Sequence, residues 1–240
     1  MIRNAASWSG CCMNERATAG LPYNPTRFEH VANTLSHGVG IVTSLLYFRS
    51  MLAESHHDIQ TVIVLVYGFF TTLLFLMSTL YHFFEMLYRD EKKKPTLRYF
   101  LHISDRVTIY LFIAASYTPW LTLRKYSVEV VDATWATWTA ALGGTLYQCS
   151  FHEKYKRVEL VLYILIAATP AVIVFSMHDW SGLDQMALGG LIYVCGVVFF
   201  KLDGVVPFAH AIWHLHVLAA STIHCHTVLT TLLGPRSDNS

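Results

Sequence analysis

Residues 207–216 read P-F-A-H-A-I-W-H-L-H and open a long apolar run near the end of the chain. His210 and His214 are four residues apart, and on a helix this spacing places both imidazoles on one face. Their neighbours are Phe, Ala, Ile, Trp and Leu, and the next charged side chain is Arg236. Two imidazoles inside such a run need a chemical reason. The pair indicates half of a metal site in an apolar environment.

The composition predicts a protein that lies in a lipid bilayer. Of the 240 residues, 54% are hydrophobic and 14% are charged, and the mean hydropathy is +0.41. Soluble globular domains carry about 25% charged residues. A spanning helix needs roughly 20 apolar residues, so the length accommodates about seven spans. The net charge of +1 gives no electrostatic basis for binding nucleic acid. Membrane lipids are the expected surroundings.

The apolar runs predict an all-α membrane protein, a seven-transmembrane helix bundle. The spans cover residues 33–53, 61–84, 99–122, 133–151, 158–177, 185–202 and 209–233. Twelve Lys and Arg residues lie in the N-terminal tail and the second, fourth and sixth connections, against three on the other side. The positive-inside rule therefore predicts a cytosolic N-terminus and a lumenal or extracellular C-terminus.

The polar ends define the predicted domain organisation. Residues 1–30 form a cytosolic tail with an interfacial segment, residues 31–233 the transmembrane domain, and residues 234–240 a short C-terminal tail. The first twenty residues lack the continuous apolar core of a signal peptide. For Cys11 and Cys12 in the tail, acylation beside the membrane and two free thiols are both open interpretations.

Three spans carry pairs of polar residues that share a helix face, and the predicted topology puts all the pairs at one depth near the cytosolic side. The pairs are Ser78 with His82 on span 2, His102 with Asp105 on span 3, and His210 with His214 on span 7. Random placement would scatter them. Ionisable residues within a membrane indicate a functional site by default. A local ion pair of Asp105 with Arg106 is the alternative for span 3.

Imidazole nitrogens and a carboxylate oxygen are ligands that zinc prefers. We predict that His82, His210 and His214 bind Zn²⁺. Asp105 is a fourth ligand or holds a metal-bound water, and Ser78 hydrogen-bonds that water or an incoming carbonyl, so these two would be the catalytic residues of an enzyme. Zinc with three protein ligands lowers the pKa of its water to about 7 and polarises carbonyls. Inside a bilayer, this chemistry favours hydrolysis of a lipid amide or ester.

The entry of span 1 repeats the spacing of three to four residues with Glu29, Asn33, Ser36 and His37, which share a face at the same depth. These side chains either orient a metal ligand or form a polar clamp between helices. We predict the supporting role for Glu29, Asn33 and His37, and also for His102.

These residues resemble the pattern of a known family. The pattern is Glu29-x3-Asn33-x2-Ser36-His37, Ser78-x3-His82, Asp105 and His210-x3-His214. It is similar to that of the progestin and adipoQ receptor family, which includes the bacterial hemolysin III-like proteins. The strings I-A-A-S-Y-T-P-W-L (113–121), F-H-E-K-Y-K (151–156) and P-F-A-H-A-I-W-H-L (207–215) resemble its monocyte-to-macrophage differentiation factor branch. The resemblance covers residues 23–232, but Ser36 stands where many members have Thr, and His102 is not in the family-wide set.

The resemblance implies a seven-helix bundle with a cytosolic N-terminus and an intramembrane zinc site whose direct ligands are His82, His210 and His214. For this branch it implies Golgi or late endosomal and lysosomal membranes, and a receptor or scaffold that acts with signalling proteins at the cytosolic face, including Ras-pathway activation. Adiponectin-receptor relatives, similar in this site, are associated with ceramide hydrolysis. The alternative function is therefore a zinc-dependent, ceramidase-like lipid amide hydrolase.

Two other functional classes have less support. The sequence lacks the Gly-rich phosphate loop, the catalytic H-R-D with a downstream Asn, and the D-F-G of protein kinases. A pore is disfavoured because, apart from the polar cluster on the cytosolic side, the spans carry no polar stripe that would line a channel.

Overall fold

The computed structural model describes Asn14 and residues 25–88, 95–126, 131–152 and 154–233. Within these residues the chain forms seven α-helices, and the only β pairing is an isolated bridge between Tyr126 and Met177. The helices are α1 (Arg27–Ala53), α2 (Asp58–Tyr88), α3 (Pro95–Leu123), α4 (Val131–Phe151), α5 (Lys156–Val174), α6 (Leu183–Lys201) and α7 (Ala209–Thr227), and α7 continues as a π-helix, Val228–Leu233. The predicted all-α fold is confirmed. Cys11, Cys12 and residues 234–240 lie outside the described residues.

A capping box fixes where α1 begins. The Thr26 hydroxyl accepts a hydrogen bond from the Glu29 amide at 3.2 Å, and the Glu29 carboxylate accepts one from the Thr26 amide at 2.8 Å. Such a reciprocal pair satisfies amide groups that have no partner within the first helical turn. The helix therefore starts at Arg27, inside the region predicted as tail.

The outer surface of the bundle is apolar. Large aliphatic side chains are exposed on several helices, and Leu146 and Val172 are 68% and 71% exposed. By length and composition alone, three of the described helices can cross a membrane, namely α2, α5 and α6. The charged residues of α3 and the histidines of α7 make those helices more polar. These features are those of a helical membrane protein.

Polar contacts gather at the end of the bundle where α1 begins, which we call the proximal end. His30 near the start of α1 meets His82 near the end of α2, and His102 near the start of α3 meets His152 after α4. The helices that contribute these residues therefore run alternately toward and away from this end. The proximal end contains all the site residues that the sequence predicts.

Glycine allows α1 and α2 to pack closely. A Cβ atom at Gly40 of α1 would overlap the Phe75 ring of α2, and one at Gly68 of α2 would overlap the Phe48 ring of α1. Small residues at helix contacts let backbones approach in membrane proteins. This close approach brings the polar face of α1 against the end of α2.

The tail contacts the proximal end through Asn14. This side chain is only 5% exposed, and its amide nitrogen donates to the Asp203 carboxylate at 3.1 Å. Asp203 lies in the connection between α6 and α7. Burial raises the pKa of the Asp203 carboxyl to about 7, and the hydrogen bond from Asn14 opposes the rise.

This raised pKa predicts a pH-dependent contribution to stability. Between about pH 4, where a free Asp titrates, and about pH 7, the folded protein binds a proton that the unfolded chain has released. The stability linked to Asp203 is therefore present at low pH and is lost as the pH rises through about 7. We expect Asp203→Asn to be more stable than the wild type at about pH 8, and this advantage to be clearly smaller at about pH 5. Thermal unfolding in detergent measures both differences, and equal differences at the two pH values would contradict the prediction.

Candidate metal centre

Three histidines come together at the proximal end. His82 lies near the end of α2, and His210 and His214 lie on the first turns of α7. One ring nitrogen from each lies within 4.8 Å of the others. The ring centroids of His210 and His214 are 4.7 Å apart, and those of His82 are 5.1 Å from His214 and 5.5 Å from His210. All three rings are buried, so the arrangement suits one metal ion away from bulk water. We call it the three-histidine group.

The entrance of α7 has an unusual backbone. Phe208 occupies the cap position with φ 56°, in the left-handed region, and its side chain makes no capping hydrogen bond. Pro207 precedes the cap and lies outside the first helical turn. A non-glycine residue at positive φ is uncommon, and such conformations cluster at functional sites. This strained residue directly precedes the turn that carries His210.

The two ring nitrogens of His82 have different surroundings. Nδ1 lies 3.3 Å from His30 Nδ1 and 3.4 Å from Asn33 Nδ2. Nε2 is buried and makes no hydrogen bond to any described residue. A buried polar atom without a partner costs free energy, and bound metal would remove that cost. The residues present therefore fit a zinc ion, because imidazole nitrogen is among its preferred ligands.

The polar face of α1 supports His214. The Nδ1 atom of His214 lies 3.3 Å from the Ser36 hydroxyl and 3.4 Å from the Asn33 carbonyl oxygen. His37 stacks on the same ring, with centroids 3.6 Å apart and planes inclined by 11°. Hydrogen bonds to the outer nitrogen of a histidine fix its orientation for metal binding. Asn33 and Ser36 are placed for that task, whereas His37 contacts the face of the ring.

Ser78 of α2 and Asp105 of α3 lie on helices that meet at the proximal end. Ser78 is one turn from His82 and only 2% exposed. Its hydroxyl interacts with the Asp105 carboxyl without meeting the full geometry of a hydrogen bond. Among the described residues, the side chains that meet metal-ligand geometry are the three histidines, and Asp105 is not one of them.

Glu29 and His102 have other partners. Glu29 belongs to the capping box of α1. The Nδ1 atom of His102 lies 3.1 Å from His152 Nε2, and the His102 ring stacks on Tyr81 with centroids 4.6 Å apart. Gln148 in turn lies 2.8 Å from His152 Nδ1. His102 therefore belongs to a polar chain that joins α3 to the end of α4.

His30 joins the site without having been predicted from the sequence. It is 1% exposed and contacts His82 through Nδ1. A signal was available, because His30, Asn33 and His37 have the spacing of one helix face. The capping box of Thr26 and Glu29 also places this turn inside a helix.

Arg106, the charged neighbour of Asp105, forms an ion pair with α5. Arg106 Nη1 lies 2.7 Å from the Glu159 carboxylate of α5, and the two side chains are 12% and 5% exposed. The Tyr163 hydroxyl lies 3.1 Å both from that carboxylate and from the Arg106 carbonyl oxygen. Arg106 thus forms an ion pair with Glu159 of α5, and its positive charge also acts on the neighbouring Asp105 carboxyl.

The helical membrane fold and the buried histidines define a class of integral membrane protein with a candidate metal centre. The chain belongs to the haemolysin-III related family, which it matches over residues 26–225. It is similar to monocyte to macrophage differentiation factor of Homo sapiens, with 41% identity over 226 residues and 94% of each chain covered. Hemolysin-3 of Bacillus cereus is 30% identical over 215 residues, 87% of this chain and 94% of that protein. The predicted family resemblance is confirmed, and the matched region contains the three-histidine group.

Proposed function

We propose that the chain spans the membrane seven times, with a cytosolic N-terminus, a lumenal or extracellular C-terminus, and Zn²⁺ held by His82, His210 and His214. The uneven distribution of Lys and Arg supports this orientation. The proximal end then faces the cytosol, and the metal lies near the cytosolic side of the membrane. The unpartnered Nε2 atom of His82 supports the metal.

The site best supports a zinc-dependent lipid amide hydrolase of ceramidase type. This proposal is based on the number of protein ligands in the site. The group of described side chains with metal-ligand geometry contains three histidines. Catalytic zinc sites use three protein ligands and keep one position open, whereas structural sites are four-coordinate and closed. The apolar surface of the bundle makes a membrane lipid the natural substrate.

In this proposal the chain supplies a base and a hydrogen-bond donor. When bound, zinc supplies Lewis-acid chemistry that polarises a carbonyl group and makes water a nucleophile at neutral pH. The Asp105 carboxylate takes a proton from the attacking water and returns it to the leaving amine nitrogen. The Ser78 hydroxyl donates a hydrogen bond to the lipid carbonyl oxygen.

Asp105→Asn tests the enzymatic proposal. We expect zinc content to stay at the wild-type level and fatty-acid release from ceramide to fall by about 100-fold or more, because the general base is lost. Asp184→Asn is the control, since this carboxylate is exposed in the first turn of α6, at the other end of the bundle. Zinc-loaded wild-type protein that releases no more fatty acid than Asp105→Asn would exclude the hydrolase.

A receptor or scaffold is the second candidate, in which zinc only ties α2 to α7. The observation in its favour is the name of the human relative, a differentiation factor, which matches over nearly its whole length. Such a protein would act at Golgi or late endosomal and lysosomal membranes and bind signalling proteins, as in Ras-pathway activation, at its cytosolic face. The basic connection that would offer such a surface, residues 89–94, lies outside the described residues. Zinc without hydrolysis would favour this candidate.

A further inference from the structure

We propose that His30 is a positioning residue of the metal centre. It accepts a hydrogen bond from the ring proton that His82 must carry on Nδ1 when its Nε2 atom binds zinc. The inference rests on the zinc site of the proposed function and does not depend on hydrolysis. It names the partner that a metal-binding histidine needs at its outer nitrogen.

His30 packs against His82 in the interior of the proximal end. The two side chains are 1% and 0% exposed, and their ring centroids are 5.5 Å apart with the planes inclined by 55°. Their Nδ1 atoms are 3.3 Å apart, which is within hydrogen-bonding distance. Because the capping box starts α1 at Arg27, His30 lies on the first helical turn, where its ring reaches the end of α2.

A hydrogen bond between two imidazole nitrogens needs a proton on one of them and a lone pair on the other. Neutral imidazole carries its single proton on either Nδ1 or Nε2. A nitrogen that binds zinc uses its lone pair, so zinc on Nε2 of His82 leaves the proton on Nδ1. That buried N–H group needs an acceptor. His30 provides one when its own proton is on Nε2, because its Nδ1 atom then has a lone pair.

Asn33 favours the opposite position of the proton. Its amide nitrogen, Nδ2, is the atom that lies 3.4 Å from His82 Nδ1, and an amide NH₂ group donates hydrogen bonds. Asn33 therefore stabilises the tautomer of His82 in which Nδ1 is the acceptor and Nε2 carries the proton. That tautomer cannot bind a metal through Nε2. The two neighbours of His82 thus favour different tautomers, and His30 favours the one that binds zinc.

At the same centre, His214 is held in the metal-binding tautomer by a backbone group that can only accept. Its Nδ1 atom lies 3.4 Å from the Asn33 carbonyl oxygen, so the proton stays on Nδ1 and Nε2 is left for the metal. For His82, the hydrogen-bond partners of Nδ1 among the described residues are the His30 ring and the Asn33 amide. Of these two, His30 is the one that can accept. It therefore has the role at His82 that a backbone carbonyl has at His214.

Zinc affinity tests this role, and competition with a chromophoric chelator measures it for the full chain in detergent. His30→Leu has no acceptor, and we expect zinc to bind about 10- to 100-fold more weakly, as when other partners of metal ligands are removed. His30→Asn is similar in size to His30→Leu but carries an amide oxygen two bonds from Cβ, as Nδ1 is. It should therefore bind zinc nearly as tightly as the wild type. His57→Leu is the control, because His57 is exposed in the connection between α1 and α2.

Cobalt distinguishes a positioning residue from a metal ligand, because the visible spectrum of bound Co²⁺ depends on the atoms that coordinate it. We expect Co²⁺ in His30→Leu to give a spectrum of the wild-type shape, reached at a higher metal concentration, since the three histidine ligands are unchanged. A spectrum of different shape would mean that His30 itself binds the ion, and this result would overturn the inference.

The other outcomes separate this inference from the proposed zinc site. Equal zinc affinity of His30→Leu and the wild type overturns the inference and leaves the zinc site in place. Equal losses of affinity in His30→Leu and His30→Asn also overturn it, because His30 then acts through packing alone. Wild-type protein that binds no zinc refutes the zinc site and the inference with it. If His30→Leu does not fold, His30→Phe, which keeps a ring without an acceptor, replaces it in the comparison.

Discussion

Replacing His210 and His214 together by alanine is expected to remove zinc from the purified protein. The double variant deletes two of the three imidazoles whose nitrogens lie within 4.8 Å of one another, and His82 alone cannot hold the ion. Metal analysis by mass spectrometry should give one zinc per wild-type chain and a background value for the variant.

The control is a second double variant of the same helix, His216→Ala/His224→Ala. These imidazoles contact backbone oxygens of Ile212 and Met186 and lie outside the three-histidine group. This variant loses as many imidazoles as the first and should keep its zinc. Equal zinc content in the two double variants would refute the site.

Glu159→Ala is expected to destabilise the fold by about 3 kcal/mol or more, because removing one partner of a buried ion pair leaves the other charge in a poorly solvating interior. Arg106 is 12% exposed and its guanidinium contacts the Glu159 carboxylate. The same substitution removes the acceptor that the Tyr163 hydroxyl approaches. Unfolding of the detergent-solubilised protein by denaturant measures the loss.

Two further variants identify the buried charge as the cause. Arg106→Leu/Glu159→Leu removes both charges. Its free energy of unfolding should be closer to that of the wild type than the value for Glu159→Ala, because well-packed apolar residues often replace a buried ion pair with little loss of stability. Asp179→Ala removes one of several partners of Arg124 at the other end of the bundle, where the aspartate is 56% exposed. This substitution should lower the free energy of unfolding by no more than about 1 kcal/mol. If Glu159→Ala lowers the free energy of unfolding as little as Asp179→Ala does, the prediction is wrong.

The helices could be predicted because their apolar runs are long and the residues between them are charged. Each predicted span falls on one helix of the structure, and the differences lie at the ends. The start of α1 at Arg27 follows from a capping box that is visible as T-x-x-E in the sequence. The π-helical end of α7 leaves no comparable signal in residue spacing.

The site could be predicted in part. Depth within a bundle follows from counting residues along each helix, and this was enough to bring His82, His210 and His214 together. Which neighbour a side chain faces depends on the rotation of its helix, and contacts with distant parts of the chain set that rotation. For this reason the sequence did not show that His102 meets His152, or that Arg106 meets Glu159.

The three-histidine group draws on α2 and α7, so one of its members is synthesised before α3–α6 and the other two after them. A ribosome releases the chain from its N-terminus, and membrane helices enter the bilayer in that order. The centre is therefore the last part of the protein that can be completed during biogenesis. A nascent chain or a truncated product without α7 has only His82 from this group, so metal loading would report that the whole bundle has been inserted and assembled.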